Sequence, residues 1–313
     1  MIAIGGENLI DYLKQADGDV AAPGGSPFNV AMGMGKQGAD VSYITPISSD
    51  DWGDQLHARL IKSNVRIGAS RVDAPTTMAI VTVQNGVPSY VFKRDGTAER
   101  AVDVALLEDA MPSGCRVLHV GSLALADDPD AGVWVDLCAR AKAAGVLISL
   151  DPNVRLSIVQ DAKAYRARLK RMIGLADVIK LSDEDLEGLY PELSMTDAMA
   201  QVVHESVAKV VVVTCGQEDG FAYLSGAAMR FPVIVADPLE DTIGAGDTFM
   251  ATLLTSLCAT DKAPSDVLDN LDATALQIIL KRCATAAALN CQREGCQPPT
   301  ALEIDNALTE SAS

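Results

Sequence analysis

A glycine-rich turn that ends in an acidic residue is the part of the sequence best suited to chemistry. It consists of Gly244, Ala245, Gly246 and Asp247. The following run, residues 248–258, is rich in Ala, Leu and Met and predicts a helix. The turn would then offer unpaired backbone N–H groups and the positive end of the helix dipole to an anion. Asp247 could accept the proton of an attacking hydroxyl there, or it could simply be the N-cap of the helix.

A glycine pair precedes a second predicted helix. Gly24 and Gly25 are followed by Ser26 and Pro27, which suit the N-cap and the first position of a helix that runs to about residue 38. Glycines at such a point let the backbone approach a ligand closely, or they simply form a tight turn. Both interpretations remain open at this stage.

Buried strands are needed to position these turns, and five apolar runs predict them. Near-continuous β-branched runs that alternate with helical patterns are typical of parallel strands covered on both faces. Ligands collect at the carboxyl ends of such strands, so the polar residues that follow each run are candidates for a site. The runs are residues 2–4, 117–120, 146–150, 178–181 and 210–213.

Residues 76–93 follow a different pattern. Asn85-Gly86 separates two β-rich runs, which predicts an antiparallel hairpin because both turn residues need positive φ. We expect the hairpin to belong to a small separate sheet that covers the site. The predicted organisation is one α/β domain over residues 1–313, with a small lid formed by segments within about 12–24 and 66–98.

Composition and charge exclude several classes of protein. The chain has 25 basic and 42 acidic residues and a net charge of −17, so we expect no nucleic-acid partner. No apolar run reaches the ~20 residues of a membrane span. The first residues lack the basic region of a signal peptide. Seven cysteines without a C-x-x-C pair, and only three histidines, predict reduced thiols, a cytoplasmic location and no zinc site.

The two glycine-containing segments together carry a family resemblance. Residues 241–247 (DTIGAGD) resemble the D-T-x-G-A-G-D signature of ribokinase-like, or PfkB-type, carbohydrate kinases, and residues 24–29 resemble their G-G-x-x-x-N signature. The resemblance implies a three-layer α/β sandwich with a mostly parallel central sheet and a small β lid. It makes Asp247 the catalytic base. Its other implied roles are an anion hole at Gly244, Ala245 and Gly246, and sugar contacts at Gly24, Gly25 and Asn29.

Further segments resemble the fructokinase branch. Residues 6–11 match its opening and imply that Asp11 accepts a sugar hydroxyl. The segment after the hairpin places Arg94 at the sugar. Residues 151–155 (DPNVR) resemble D-x-N-x-R, which implies that Asn153 contacts the sugar and that Arg155 assists phosphoryl transfer. A turn aspartate, a turn asparagine and a surface arginine are the plainer interpretations of this last segment.

Nucleotide and metal residues are implied in the same way. Residues 180–185 (KLSDED) resemble the family's N-x-x-E motif, with Ser182 for asparagine and an aspartate for the glutamate. Glu184 and Asp185 are then expected to bind Mg²⁺ through water, although an acidic cluster also suits a helix start. The implied ATP-binding residues are Lys180, Ser182, Thr214, Gly216, Gly220, Gly244, Gly246 and Asn290. A K⁺ site is also implied by the backbone at Asp241, Ile243, Asn290, Arg293 and Gly295.

The resulting prediction is an ATP-dependent kinase that phosphorylates a primary hydroxyl of a small sugar, with D-fructose favoured. The alternatives are a 2-keto-3-deoxygluconate kinase, another sugar kinase of this fold, or an inactive sugar sensor. A nicotinamide enzyme is disfavoured because no G-x-G-x-x-G follows the first strand. Open edges of the lid strands could pair between two copies of the chain and form a homodimer.

Overall fold

Strands and helices alternate along most of the chain. The computed structural model describes residues 1–14, 18–84, 87–260 and 262–310. The strands are β1 (Ile2–Gly5), β2 (Leu9–Lys14), β3 (Val20–Gly24), β4 (Val41–Tyr43), β5 (Arg66–Ile67), β6 (Thr77–Gln84), β7 (Val87–Lys93), β8 (Val117–Gly121), β9 (Leu147–Asp151), β10 (Val178–Ser182), β11 (Val210–Cys215), β12 (Glu218–Leu224) and β13 (Ala227–Phe231). The α-helices are α1 (Ser26–Lys36), α2 (Asp51–Lys62), α3 (Val104–Ala110), α4 (Asp130–Ala143), α5 (Ala162–Ile173), α6 (Asp183–Leu189), α7 (Met195–Glu205), α8 (Ala245–Leu257), α9 (Pro264–Asp269), α10 (Ala273–Cys291) and α11 (Ala301–Glu310).

The larger sheet has nine strands in the order β13-β12-β11-β10-β9-β8-β1-β4-β5. In this spatial order, neighbouring strands from β11 through to β5 pair in parallel. The remaining two strands, β12 and β13, pair antiparallel and form one edge of the sheet. The five strands predicted from apolar runs are β1 and β8 to β11, which lie side by side at its centre. The short β4 and the partly exposed β12 and β13 lack that apolar signal.

Helices cover both faces of this sheet and give three layers. One face packs against α1, α8 and α10, with Phe28, Leu254 and Leu280 fully or almost fully buried. The other face packs against α4 to α7, where Trp134 and Leu169 are buried. Burial of each such side chain contributes about 1.5–3 kcal/mol. Parallel pairing brings the carboxyl ends of the central strands to one edge of the sheet, where polar residues follow them.

A separate four-stranded sheet has the order β3-β2-β6-β7. The predicted hairpin is confirmed, since β6 and β7 pair antiparallel with Gln84 opposite Val87; Asn85 and Gly86 lie outside the described residues. The predicted lid boundaries need two corrections. The small sheet already begins at Leu9, before residue 12, and Arg66–Ile67 pairs with β4 in the large sheet.

The two glycine turns begin helices at positions that differ from the predictions. Ser26 is the first residue of α1, and Gly25 is the N-cap with φ 112°, so the predicted Ser26 cap is wrong. Helix α1 also ends at Lys36, before residue 38. Helix α8 begins at Ala245 with Gly244 as its N-cap, so the N-cap interpretation of Asp247 is wrong as well. Both differences free a side chain for contacts within the site.

Two further findings concern the whole of the described chain. The helices there include none with the length and apolar character needed to cross a membrane. The seven cysteines all lie in the described residues and are free thiols.

Two glycines at equivalent positions in their helices give a test of the packing. A Cβ at Gly53 of α2 would overlap the Ser48 carbonyl, whereas one at Gly132 of α4 would lie 3.5 Å from the Asp128 carboxylate. We expect Gly53→Ala to lower the free energy of unfolding by about 1–3 kcal/mol through overpacking. We expect Gly132→Ala to leave it unchanged or raise it by up to about 1 kcal/mol, through helix propensity. Urea unfolding measures both, and equal effects would contradict the packing of α2.

Candidate active site

The carboxylate of Asp247 lies at the first turn of α8 and is 7% exposed. Its Oδ1 accepts a hydrogen bond from Ser26 Oγ at 2.7 Å, and its Oδ2 accepts one from Asn29 Nδ2 at 2.8 Å. Burial raises the pKa of Asp247, and these hydrogen bonds and the charges of Lys180 and Arg155 partly offset that rise. The arrangement holds a carboxylate ready to accept a proton.

The turn before Asp247 is shaped to receive an anion. Gly244 has φ 75°, in the left-handed region, and a Cβ there would overlap Cys296 Sγ. The N–H of Ala245 donates to the Thr242 carbonyl at 3.2 Å. The next N–H groups, at Gly246 and Asp247, belong to the first turn of α8, where a helix supplies no acceptor. These donors and the helix dipole favour negative charge beside Asp247.

The small sheet brings a second carboxylate to the same cleft. Asp11 lies on β2, and a Cβ at Gly24 would overlap its Oδ2, so the glycine lets the two strands hold the carboxylate there. Restricted hydration raises the pKa of Asp11 to about 6, and the negative charge of Asp247 adds to the rise. Asp11, Gly24, Gly25, Asn29 and Asp247 therefore come together in one cleft, and their contacts with a sugar remain a prediction.

Glu7 is a buried residue of this cleft that sequence reasoning did not assign. Its Oε1 accepts from the Ser26 N–H at 2.9 Å, and its Oε2 accepts from the Leu123 N–H at 3.1 Å. Burial raises its pKa to about 7. The residue lies within the segment 6–11 that carried the resemblance, which was the available signal. Glu7 thus fixes the start of α1, from which Ser26 reaches Asp247.

Arg94 is 7% exposed and is held in an ion pair. Its Nε donates to Glu99 Oε1 at 2.9 Å, and its Nη2 donates to the Leu123 carbonyl at 3.0 Å. Asp130 lies 3.7 Å from the same Nη2. The guanidinium therefore links the end of β7 to the large sheet's edge, and its predicted contact with a sugar remains a prediction.

The loop after β9 also contributes residues near Asp247. Asn153 has φ 41°, an uncommon conformation that asparagine tolerates. Arg155 is exposed, and its Nη1 donates to the Val154 carbonyl at 3.3 Å. Its positive charge lowers the pKa of Asp247, so the guanidinium lies within electrostatic reach of that carboxylate.

A lysine and two aspartates lie behind the glycine turn. Lys180 Nζ is 3.1 Å from Asp151 Oδ2, and both residues are buried. Asp185 accepts from the N–H of Ser182 at 2.7 Å and from the N–H of Val154 at 2.5 Å, so it anchors α6 to the loop after β9. Each Asp185 oxygen thus accepts one backbone hydrogen bond and keeps a second lone pair.

Three of the predicted nucleotide residues lie on or next to β11 and β12. Thr214 lies on β11 in register with Ser182 of β10, and its hydroxyl donates to the Leu181 carbonyl at 3.3 Å. Gly216 has φ 56° and open space at its Cβ position. Gly220 lies inside β12, where a Cβ would overlap the ring of Phe231. Packing therefore explains Gly220, and its nucleotide contact remains a prediction.

Asn290 joins two loops beside the turn and is fully buried. Its Nδ2 donates to the Ile243 carbonyl at 2.8 Å, and its Oδ1 accepts from Gln297 N–H at 2.9 Å. These bonds give its side chain a structural role, and its predicted contact with ATP remains a prediction. Asp241 accepts from the N–H groups of Ile243 at 3.0 Å and Gly295 at 2.9 Å.

The hydrogen bonds of Asn290 and Asp241 bring the predicted cation-site residues together, because they join the loop before α8 to the loop after α10. Arg293 completes the set, since its N–H donates to the Asn290 carbonyl at 3.0 Å and its guanidinium pairs with Glu303 at 2.5 Å. The Ile243 and Asn290 carbonyls each accept one hydrogen bond, and a carbonyl oxygen has a second lone pair.

A buried carboxylate, a glycine turn at a helix start and a covering small sheet meet at the carboxyl edge of a parallel sheet. That geometry defines a phosphotransferase, since a general base stands beside a site for a phosphoryl group.

Comparison with known proteins supports the assignment as a phosphotransferase. Residues 7–302 match the model of the pfkB family carbohydrate kinases. A fructokinase from Rhizobium leguminosarum bv. trifolii is 35% identical over 285 residues, which are 88% of this chain and 86% of that protein. Fructokinase-2 from Solanum habrochaites is 30% identical over 95% of this chain and 93% of its own. The structure of fructokinase from Xylella fastidiosa with bound ATP has a TM-score of 0.91 at 26% identity, and the likeness covers 100% of this chain and 99% of that one.

The chain belongs to the pfkB family of carbohydrate kinases. The predicted resemblance and the predicted ribokinase-like α/β fold are both confirmed. The protein is accordingly a phosphotransferase that acts on a sugar hydroxyl.

The contact between Ser26 and Asp247 predicts a pH effect. The hydrogen bond stabilises the ionised carboxylate, so its loss in Ser26→Ala should raise the pKa of Asp247. Because the base must be ionised to act, the acidic limb of the pH–activity profile should move to higher pH, by about 1 unit for one charge-assisted hydrogen bond. The matched control is Ser42→Ala, which alters a buried serine on β4. An unmoved limb in Ser26→Ala would contradict this role.

Proposed function

We propose that this protein is a fructokinase that transfers the γ-phosphoryl group of ATP to a primary hydroxyl of D-fructose. The observation that carries the proposal is the placement of Asp247 beside the Gly244–Gly246 turn at the start of α8. The fructokinase relatives and the ATP-bound structure from Xylella fastidiosa support the choice of both substrates.

The proposal assigns a group to each step of the reaction. Asp247 accepts the proton of the sugar hydroxyl as its oxygen attacks the γ-phosphorus in line. The N–H groups of the turn and the Arg155 guanidinium take up charge on the phosphoryl oxygens. Asp11 and Asn29 hold other hydroxyls and fix the orientation of the sugar. The small sheet limits the access of water, which would otherwise hydrolyse ATP.

The pairing of the nearby arginines favours a neutral sugar over a keto-acid. Arg94 is balanced by Glu99, and Arg100 by Asp130 at 2.5 Å. A carboxylate on the substrate would compete with these buried acids for the same guanidinium groups. A 2-keto-3-deoxygluconate kinase therefore stands as the second candidate, with Arg155 as the exposed guanidinium available to such a carboxylate.

The residues present fit Mg²⁺. Asp151 Oδ1 is buried and accepts no hydrogen bond from the described residues, so it can accept one from metal-bound water. Asp185 and the exposed Glu184 lie at the adjacent start of α6. Mg²⁺ retains several waters in such sites and would neutralise charge on the ATP phosphates. The carbonyls around Asp241 would suit K⁺ in the same way.

Two further proposals concern the state of the protein in the cell. The outer strands of the small sheet, β3 and β7, expose Val20 and Val91, which supports pairing of two copies through their lids. Seven free cysteines support a reducing, cytoplasmic location.

Replacement of the base tests the proposed reaction. Asp247→Asn should lower kcat for fructose phosphorylation by about 10²–10⁴, because general-base assistance is lost. Fructose binding, followed by calorimetry, should survive, since the amide keeps the size of the side chain. Asp266→Asn on the short helix α9 is the control and should leave kcat unchanged. Near-normal turnover of Asp247→Asn would show that another group removes the proton.

A panel of acceptors tests the substrate. We expect ADP release with ATP and Mg²⁺ to be fastest with fructose among fructose, tagatose, ribose, adenosine and 2-keto-3-deoxygluconate. Faster release with the keto-acid would retain the reaction and replace the substrate. Sugar binding without ADP release would instead identify a sensor.

A further inference from the structure

A buried carboxylate at the base of the small sheet takes no part in the reaction described so far. Glu99 lies in a short 3₁₀ helix, Ala98–Arg100, soon after β7 ends, and it is 2% exposed. Removal of a charge from water is costly unless the charge is paired and hydrogen-bonded. The position of Glu99 is therefore set by the groups that pair with it.

Glu99 joins two strands of the small sheet where they begin and end. Its Oε1 accepts from Thr77 Oγ1 at 3.0 Å, and Thr77 is the first residue of β6. The same oxygen accepts from Arg94 Nε at 2.9 Å, and Arg94 directly follows the last residue of β7. Both ends of the β6–β7 hairpin are thus held by one carboxylate.

The Leu123 peptide group continues these contacts into the body of the protein. Its carbonyl accepts from Arg94 Nη2 at 3.0 Å, and its N–H donates to Glu7 Oε2 at 3.1 Å. The other oxygen of Glu7 accepts from the N–H of Ser26, the first residue of α1. A continuous set of hydrogen bonds therefore runs from the small sheet to the helix whose Ser26 donates to Asp247.

An apolar contact lies beside these hydrogen bonds. The side chains of Leu9 on β2, Ala79 on β6 and Leu123 form one buried cluster, and Phe92 of β7 packs against it. Apolar attraction has no preferred direction, whereas hydrogen bonds restrict both distance and angle. The apolar cluster thus holds the small sheet on the body, and the hydrogen bonds of Glu99 and Arg94 fix where it lies.

The charge of Glu99 is needed to keep Arg94 in place. Burial alone would lower the pKa of Arg94, but the charges of Glu99, Asp130 and Glu7 outweigh burial and raise it. Glu99 is the acid in direct contact with the guanidinium, whereas Asp130 is 3.7 Å from it. Loss of the Glu99 charge would therefore loosen the end of β7.

We propose that Glu99 is a positioning residue for phosphoryl transfer, which fixes the small sheet over the site and so keeps water from the γ-phosphoryl group of ATP. It acts through Thr77 and Arg94. This inference rests on the proposed kinase function.

The proposal concerns which oxygen attacks phosphorus. In the productive step the sugar oxygen forms a bond to phosphorus, the bond from phosphorus to the leaving ADP oxygen breaks, and the hydroxyl proton passes to Asp247. With a loosened sheet, a water oxygen forms the bond to phosphorus instead, and one of its protons passes to Asp247. The products are then ADP and inorganic phosphate, and the sugar is unchanged.

Two variants of matched size test this role. Glu99→Gln removes the charge, whereas Thr77→Val removes one donor and leaves the pair of Arg94 and Glu99 intact. With ATP and fructose present, we expect Glu99→Gln to raise the release of inorganic phosphate about tenfold over wild type and Thr77→Val to raise it about threefold. The control is Glu205→Gln on α7, which alters a carboxylate bonded to Tyr190 at 2.5 Å and should leave phosphate release unchanged.

A different role for Glu99 would give a different result. If Glu99 only held Arg94 for a contact with the sugar, Glu99→Gln would raise the KM for fructose without added hydrolysis, and Thr77→Val would have no effect. Unchanged phosphate release in either variant would therefore overturn the proposal. Because Thr77→Val leaves no buried charge unpaired, it decides the question even where Glu99→Gln is too unstable to assay.

Hydrogen exchange of the ligand-free protein separates this inference from the proposed function. Followed by mass spectrometry, peptides from β6 and β7 should exchange about tenfold faster in Glu99→Gln and about threefold faster in Thr77→Val, whereas peptides from β9 and β10 should exchange as in wild type. Unchanged exchange of β6 and β7 in both variants would refute the anchoring role of Glu99. Failure of wild type to phosphorylate any sugar would refute the proposed function and leave this comparison interpretable.

Discussion

The hydrogen bonds from Ser26 and Asn29 to Asp247 are the contacts on which the rest of the site depends. They join residues that are 221 and 218 positions apart, so they form only when α1 packs along α8. Gly33 permits that packing, since a Cβ there would lie 2.7 Å from the Cβ of Ala251. A buried carboxylate without such donors would take up a proton. The packing of two helices and the ionisation of the base are therefore one physical requirement.

The acidity of the whole chain makes this local arrangement necessary. A net charge of −17 opposes the approach of an anionic nucleotide, and Asp11, Asp151 and Asp185 add negative charge within the site itself. Exposed charges more than about 10 Å away are largely screened by salt, so groups in direct contact decide the local field. The start of α8, Lys180 and Arg155 supply that local positive potential.

The sequence predicted those parts of the fold that are encoded locally. Buried parallel strands appear as apolar runs, and the glycine turns appear as motifs. The antiparallel strands β12 and β13 were not predicted because they are partly exposed and lack a continuous apolar run. Roles that depend on contacts between distant residues could not be predicted for a different reason. The function of Ser26 is set by Asp247, and that of Asn290 by Ile243 and Gln297, and neither partner can be read from neighbouring residues.

The two glycines of the turn show why a motif alone does not reveal its own physics. Gly244 is required by its backbone, with φ 75°, and by the thiol of Cys296. Gly246 has helical backbone, and a Cβ there would lie 2.8 Å from the ammonium of Lys180, which reaches it from a different strand. Glycine at position 244 thus reflects a backbone conformation, whereas glycine at position 246 lies next to a cationic side chain. This contact places the turn beside β10 and beside the ion pair between Lys180 and Asp151.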